Sequence, residues 1–262
     1  MNSSEKRAWI SIPGSLFVEQ SGDQTTSSQV LFHGFTQTSR SWDRYIDLLR
    51  PEQSIIRVDA PGHAHSTSVR ADLPTTASMV VEQSGFADYI GYSMGARLAL
   101  HIALLHPENV RRLILVSGSP GLRSPDDRSA RVQSDEKLAL EITEIGVDKF
   151  VEKWLSAPMF RGLISTPADI QDRLRNTSEG LASSLRLCGT GTQESLWDRL
   201  HELNMPVLLV VGSDDDKFRH IGDEMKSTIG ANAELTVINN ASHSVHLEQT
   251  PSFQSVVSEF LN

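Results

Sequence analysis

Short apolar runs alternate along the chain with segments whose apolar residues recur at the helical period. Runs such as 113–116 and 207–211 are apolar at every position, which is typical of strands buried on both faces of a parallel sheet. The predicted strands span residues 9–12, 16–19, 30–33, 54–59, 87–91, 113–117, 207–212 and 235–238. The predicted helices span residues 41–49, 76–83, 93–106, 193–203, 217–229 and 251–261. This alternation predicts an α/β fold with a mostly parallel eight-stranded sheet, an antiparallel opening hairpin around Pro13-Gly14, and helices on both faces.

One long segment interrupts the alternation. Residues 122–189 contain no predicted strand, only polar helix-like sequence punctuated by Pro125, Pro158 and Pro167. An insertion at this point stands over the carboxyl ends of the strands, where ligands bind in such sheets. The alternative is a mobile surface excursion, but apolar residues between 150 and 160 can form one buried face. We therefore predict a core domain of residues 1–121 and 190–262 and a helical lid of residues 122–189.

Composition narrows the class of protein. The 262 residues are 39% hydrophobic, enough for one large domain with a closed core, and the net charge of −9 disfavours nucleic acid and anionic membranes as partners. A single cysteine, Cys188, excludes an internal disulfide and a thiolate metal cluster. No run approaches the roughly 18 apolar residues that a membrane span needs, and the N-terminus has no apolar signal core. We expect a cytoplasmic protein without membrane insertion, as a monomer or weak homo-oligomer that binds a small molecule.

The pentapeptide Gly91-Tyr92-Ser93-Met94-Gly95 lies between a predicted strand and a predicted helix. In that context Gly-x-Ser-x-Gly is typical of a nucleophile elbow, a turn so sharp that only glycine fits two positions before and after the serine. The serine oxygen is then presented at the edge of the sheet. Ser93 is therefore the candidate catalytic serine.

A catalytic serine needs a base and an acid that orients the base, in the chain order Ser, Asp or Glu, His for this type of sheet. The strand at 207–212 is followed by three aspartates, of which position favours Asp215 over Asp214. The last strand is followed by His243, with His246 as a competitor. The predicted triad is Ser93, Asp215 and His243.

The oxyanion hole is expected to use the backbone N–H of Met94 and a second N–H from the loop after the strand at 30–33. Gly34 lets that loop approach closely, so Phe35 is the expected donor, while His33 braces the loop. The spacing of His63 and His65 also suggests a metal site, but no further ligands accompany this pair, and a turn built on Pro61-Gly62 is favoured.

These stretches together resemble the α/β-hydrolase superfamily over nearly the whole chain. The chain departs from the usual pattern at Ala64 and Ser242, where glycine is common. A narrower resemblance is to the 2-succinyl-6-hydroxy-2,4-cyclohexadiene-1-carboxylate synthases of menaquinone biosynthesis. The stretches that carry it are 91–97, 118–122 with Arg128 and Arg131, Trp154 with Pro158 and Phe160, 174–176, and 215–218.

The resemblance implies particular site residues. The family's aspartate lies just before the residue-Lys-Phe run, which favours Asp215. Its substrate-binding arginines correspond to Arg97, Arg131 and Arg175, and its pocket tyrosine and tryptophan to Tyr92 and Trp154. Because guanidinium groups bind carboxylates bidentately, arginines near the elbow independently suggest an anionic polycarboxylate substrate.

The implied reaction eliminates pyruvate from 2-succinyl-5-enolpyruvyl-6-hydroxy-3-cyclohexene-1-carboxylate, with Ser93 as the base and with no metal or organic cofactor. The same triad also suits a serine hydrolase that cleaves an ester or a carbon–carbon bond. A non-catalytic ligand receptor is a third possibility, which an intact triad disfavours. Three cations in the pocket favour the lyase, since a neutral ester needs none of them.

Overall fold

The fold is built on a seven-stranded sheet, seen in a computed structural model that describes residues 15–22, 28–49 and 53–262. The strands are β1 Val18–Ser21, β2 Gln29–Phe32, β3 Ile55–Val58, β4 Ala87–Tyr92, β5 Val110–Val116, β6 Val207–Gly212 and β7 Ala233–Ile238. Their order is β1-β3-β2-β4-β5-β6-β7. Of the seven described strands, only β1 runs antiparallel to its neighbour, so the predicted mostly parallel α/β sheet is confirmed. The strand predicted at 9–12, which would be the eighth, lies outside the described residues. So does the hairpin turn predicted at Pro13-Gly14.

Helices cover both faces of this sheet. They are α1 Asp43–Ile46, α2 Leu73–Ser84, α3 Met94–Leu105, α4 Pro125–Ile145, α5 Val147–Leu155, α6 Pro167–Arg173, α7 Ser178–Cys188, α8 Asp216–Ile229, α9 Val245–Glu248 and α10 Thr250–Leu261. The central strands β4, β5 and β6 are apolar and buried along most of their length, and alternate residues face opposite layers. One layer packs α3 and α8 against the sheet, and the other packs α1 and α10.

Two of the predicted helices differ from the observed elements. The segment predicted at 41–49 begins as a 3₁₀ turn, Ser39–Trp42, and continues as the single turn of α1. The helix predicted at 193–203 is wrong in type and start, because only Trp197–Glu202 coils, as a 3₁₀ helix. The backbone N–H of Leu196 is instead bonded to the carbonyl of Pro120, at 2.8 Å, which keeps the preceding residues outside the helix.

Four helices, α4 to α7, follow one another between β5 and the segment that leads to β6. Their starts carry strong local signals, since Ser124 and Thr166 accept hydrogen bonds as N-caps and proline follows each of them. Ala139, Phe150 and Leu181 belong to a small hydrophobic cluster that α4, α5 and α7 share. These helices therefore pack on one another as well as on the core. None of the helices in the described ranges is long and apolar enough to cross a bilayer.

Candidate active site

Ser93 occupies a strained turn between β4 and α3. Its backbone has φ 53° and ψ −106°, a conformation that side chains with a Cβ rarely adopt. A Cβ on Gly91 would lie 2.2 Å from the carbonyl oxygen of Gly95, and a Cβ on Gly95 would lie 2.3 Å from that of Phe32. The two glycines of the pentapeptide are therefore sterically required, which is the geometry of a nucleophile elbow.

The structure brings Ser93, His243 and Asp215 together in a continuous line of hydrogen bonds. The Ser93 Oγ lies 3.0 Å from His243 Nε2, and His243 Nδ1 lies 2.8 Å from Asp215 Oδ2. The His243 ring is 1% exposed and packs against Tyr92 and Phe218, with ring centroids 5.4 and 4.6 Å away. With Nδ1–H donated to the carboxylate, Nε2 is free to accept the serine proton.

The three consecutive aspartates have three different sets of contacts. Asp215 caps α8, where its Oδ1 accepts from the Phe218 N–H at 3.3 Å, so Oδ2 is left to orient the histidine. Asp214 accepts from the Ser213 hydroxyl, and Asp216 forms an exposed ion pair with Arg219. Only Asp215 of the three lies within hydrogen-bond distance of His243.

His246, the competing histidine, lies in an aromatic stack. Its ring sits 4.6 Å from Trp42 and 4.4 Å from Tyr92, measured between centroids, and burial lowers its pKa to about 3. The neighbouring loop is tied down by Glu248, which accepts from the Ser242 N–H at 2.7 Å and the Ser244 N–H at 2.9 Å. His246 is thus a neutral packing residue.

The loop after β2 is held in place from both sides. His33 braces it as predicted, since Nδ1–H donates to the Gly34 carbonyl at 2.8 Å and Nε2 accepts from the Ala60 N–H at 3.0 Å. Thr36 has φ 68°, and Asn176 donates to its carbonyl at 2.7 Å. The loop places Phe35 on the wall of the cavity that also contains Ser93 and Met94. Met94 is the first residue of α3, so its N–H has no partner within the helix.

A cavity of about 370 Å³ opens beside Ser93, between the ends of the core strands and helices α4, α5 and α7. Its lining, among the residues that the structure describes, holds three cationic side chains and no carboxylate: Arg97, Arg131 and Lys217. This is notable in a chain with a net charge of −9. The cavity therefore favours an anionic ligand.

Arg97 is the most deeply buried of these cations, at 8% exposure. It donates from Nη2 to the Cys188 carbonyl at 2.7 Å and from Nη1 to Gln193 Oε1 at 3.0 Å. Burial lowers its pKa to about 10, so the guanidinium stays charged at neutral pH. Arg131 on α4 uses Nε for Asp135, at 2.7 Å. The other guanidinium nitrogens of Arg131 remain available for a ligand.

The predicted pocket residues Trp154 and Tyr92 lie beside Ser93 in a small recess of about 20 Å³ next to the main cavity. Arg175, in contrast, is not brought to this group. It is exposed, approaches the His65 ring at 3.1 Å, and lines a separate outer cleft. Arg173 lines both the outer cleft and the recess, is 3% exposed, and donates from its guanidinium to Thr36 Oγ1.

The contacts of His63 and His65 do not support the alternative interpretation that they are metal ligands. His63 is buried, with its pKa lowered to about 3 by burial, and packs against His33 at 4.9 Å between ring centroids. His65 points to Asp59, with 3.1 Å between Nδ1 and Oδ2. Within the described ranges, no group of three or more His, Cys, Asp or Glu side chains could hold a metal ion.

Comparison with known proteins agrees with this fold. The model of the alpha/beta hydrolase family matches residues 29–252. A putative 2-succinyl-6-hydroxy-2,4-cyclohexadiene-1-carboxylate synthase of Bacillus subtilis (strain 168) is 36% identical over 258 residues, covering 93% of each chain. The synthase of the same name from Serratia proteamaculans (strain 568) is 27% identical and covers 93% of this chain and 96% of its own. The solved structure of MenH from S. aureus matches with a TM-score of 0.85 and 28% identity, covering 93% of this chain and 97% of that one.

Proposed function

The chain belongs to the alpha/beta hydrolase family, among relatives named as 2-succinyl-6-hydroxy-2,4-cyclohexadiene-1-carboxylate synthases, and we propose that it catalyses their reaction. In that reaction pyruvate is eliminated from 2-succinyl-5-enolpyruvyl-6-hydroxy-3-cyclohexene-1-carboxylate. The observation that carries the proposal is the cavity beside Ser93, lined by three cations and no carboxylate within the described part of the chain. This charge balance suits a substrate with three carboxylates.

The triad supplies the base for this elimination. His243 takes the proton of the Ser93 hydroxyl, and the Ser93 oxygen removes the ring hydrogen next to the succinyl ketone. Asp215 keeps His243 in the required tautomer and stabilises the imidazolium. The electron pair left on ring carbon 2 forms a double bond to carbon 3, the existing double bond moves from carbons 3 and 4 to carbons 4 and 5, and the bond from carbon 5 to the enolpyruvyl oxygen breaks. The enolpyruvate that leaves takes up the proton that His243 received and is released as pyruvate.

Negative charge develops on the ketone oxygen as the ring proton leaves. The backbone N–H groups of Phe35 and Met94 are the proposed donors to that oxygen. Their positions are set before the substrate arrives, by the elbow and by the hydrogen bonds that hold the loop after β2. Donors fixed in advance cost no reorganisation during the reaction, and one of them is worth about 3 to 4 kcal/mol in an oxyanion hole.

The proposed carboxylate ligands are Arg97 and Arg131 in the cavity and Arg173 in the adjoining recess, and Lys217 adds positive charge to the cavity wall. Tyr92 and Trp154 are proposed as pocket walls. Arg173 replaces the expected Arg175, because both line the outer cleft but only Arg173 of the two also lines the recess that contains Ser93. Arg131, Trp154 and Arg173 all come from helices α4 to α6. We therefore include in the proposal that residues 122–189 act as a lid that contributes most of the substrate contacts.

The test is pyruvate release from the enolpyruvyl substrate by the purified protein, followed with a coupled lactate dehydrogenase assay. Ser93→Ala is the control, and should abolish release while the substrate still binds. A serine hydrolase is the second candidate, since the hydrogen-bonded triad would serve ester cleavage equally well. Efficient turnover of p-nitrophenyl esters without pyruvate release would refute the lyase proposal and support the hydrolase.

A further inference from the structure

Gln37 carries a buried amide whose donor end has no partner. The residue is 2% exposed and lies in the loop between β2 and α1. Its Oε1 accepts from the Gly34 N–H at 2.9 Å, while Nε2 makes no hydrogen bond. An unsatisfied buried polar group costs about 1 to 3 kcal/mol, so this arrangement calls for a functional explanation.

The orientation of the amide follows from its neighbour. The Gly34 N–H can only donate, so the oxygen of Gln37 must face it and the NH₂ group must point away from that N–H. Gln37 lines the small recess that also contains Ser93, Tyr92 and Arg173. Gln37 also lines the outer cleft, so it lies between the two spaces, and the hydrogen bond to Gly34 fixes its amide there.

The recess has room for one acceptor atom. Its volume of about 20 Å³ is close to the space that a single water-sized group needs. Phe35, Trp154 and Phe160 supply apolar walls. The charged Arg173 guanidinium and the Gln37 amide both donate, so an anionic oxygen is the group that satisfies the recess.

We propose that Gln37 is a substrate-contacting specificity residue, whose Nε2–H donates, together with Arg173, to one carboxylate oxygen of the substrate inserted into the recess beside Ser93. This inference rests on the proposed function for the identity of the substrate, but the subsite itself requires only a carboxylate. Gln37 contributes selectivity for that carboxylate and leaves the chemistry to the triad.

The decisive variant is Gln37→Glu. A glutamate keeps an oxygen that accepts from Gly34 N–H, so the loop stays anchored, but it removes the donor and places a negative charge next to Arg173. Gln171→Glu is the matched control, because it makes the same charge change at an exposed position on the outer cleft.

We expect Gln37→Glu to lower kcat/KM for pyruvate release by at least about 10-fold, the loss typical of one hydrogen bond to a charged group. The rate at which a neutral fluorophosphonate labels Ser93 should stay within about 2-fold of the parent protein, because the triad is untouched. Gln171→Glu should match the parent protein in both measurements. A Gln37→Glu protein as active as the parent would overturn the proposal, since a purely structural Gln37 needs only its acceptor.

A parent protein that releases no pyruvate would refute the proposed function, and the subsite is then tested separately. Isothermal titration with succinate, a plain dicarboxylate, should give a Kd at least about 10-fold weaker for Gln37→Glu than for the parent protein. Equal affinities, or no succinate binding to the parent protein, would overturn the carboxylate subsite.

Discussion

Replacing Arg97 by methionine should separate stability from activity. Burial lowers the pKa of this guanidinium to about 10, which corresponds to a cost of about 3 kcal/mol for keeping the charge inside the protein. The group is charged at every pH below about 10, so the whole cost is present at neutral pH. Methionine has a similar length and no charge, and therefore relieves this cost.

The substitution also leaves two acceptors without their donor, the Cys188 carbonyl and Gln193 Oε1. Each orphaned acceptor costs about 1 to 3 kcal/mol. The gain and the losses nearly cancel, so we expect the free energy of unfolding to change by less than about 3 kcal/mol. The loss in kcat/KM should be about 2 to 5 kcal/mol, or roughly 30- to 5,000-fold, if Arg97 binds a buried carboxylate.

Urea unfolding at pH 7 gives the first quantity, and pyruvate release per folded molecule gives the second. Arg123→Met is the control, because Arg123 pairs with Glu224 at the surface and lies outside the cavity. A variant of Arg97 that unfolds far more easily yet retains its activity per folded molecule would show that the residue is structural.

Three further predictions follow from the same contacts. Asp215→Asn should lower kcat by about 10⁴-fold, as in a serine-protease triad, while Asp216→Asn stays within about 2-fold; equal losses in the two variants would contradict the assignment of the acid. Arg173→Met should lower kcat/KM at least about 10-fold and Arg175→Met less than about 3-fold, and the reverse order would restore Arg175 as the ligand. Burial lowers the pKa of His101 to about 4, so only the unfolded chain binds this proton between about pH 6.5 and 4, and stability falls as the pH drops through that window. His101→Gln should flatten this fall, measured by urea unfolding, by about 1.4 kcal/mol per pH unit, and an unchanged slope would contradict the burial argument.

The residues at the ends of strands could be predicted because strand position and chain order constrain them strongly. Ser93 was located by a steric requirement for glycine, and His243 by the end of the last strand. The choice among the three aspartates needed position as well as chemistry. All three aspartates are chemically able to cap α8 and to orient a histidine. In the structure, Asp215 is the one of the three that caps α8 and contacts His243.

The choice between Arg173 and Arg175 could not be made from the sequence. Arg173 is the last residue of α6, and Arg175 lies two positions further on, so the side chains point in very different directions. Which of the two side chains reaches the recess beside Ser93 depends on how α6 packs against the loop after β2. Asn176 contributes to that packing, since it accepts from Ala64 N–H at 2.9 Å and donates to the Thr36 carbonyl.

Gln37 had no local signal at all. A glutamine in a polar loop is ordinarily a solvated surface residue. Its importance depends on burial, on the hydrogen bond to Gly34, and on the recess formed with Arg173, and all three arise from tertiary packing. The segment at 193–203 failed for a similar reason, because a long-range bond to Pro120 competed with its helical pattern.

Helices α4 to α7 form one uninterrupted stretch of chain, whereas Ser93, Asp215 and His243 all follow strands of the sheet. Under the proposed division of substrate contacts, exchanging the segment between residues 121 and 190 would replace Arg131, Trp154 and Arg173 together and leave the triad in place. One tight backbone contact between the two parts is the pair Gly62 and Gly180, where a Cβ on either residue would lie 2.3 Å from the other's carbonyl oxygen. Chimeras that keep glycine at both positions are the ones we expect to fold and to combine a new substrate preference with the existing triad.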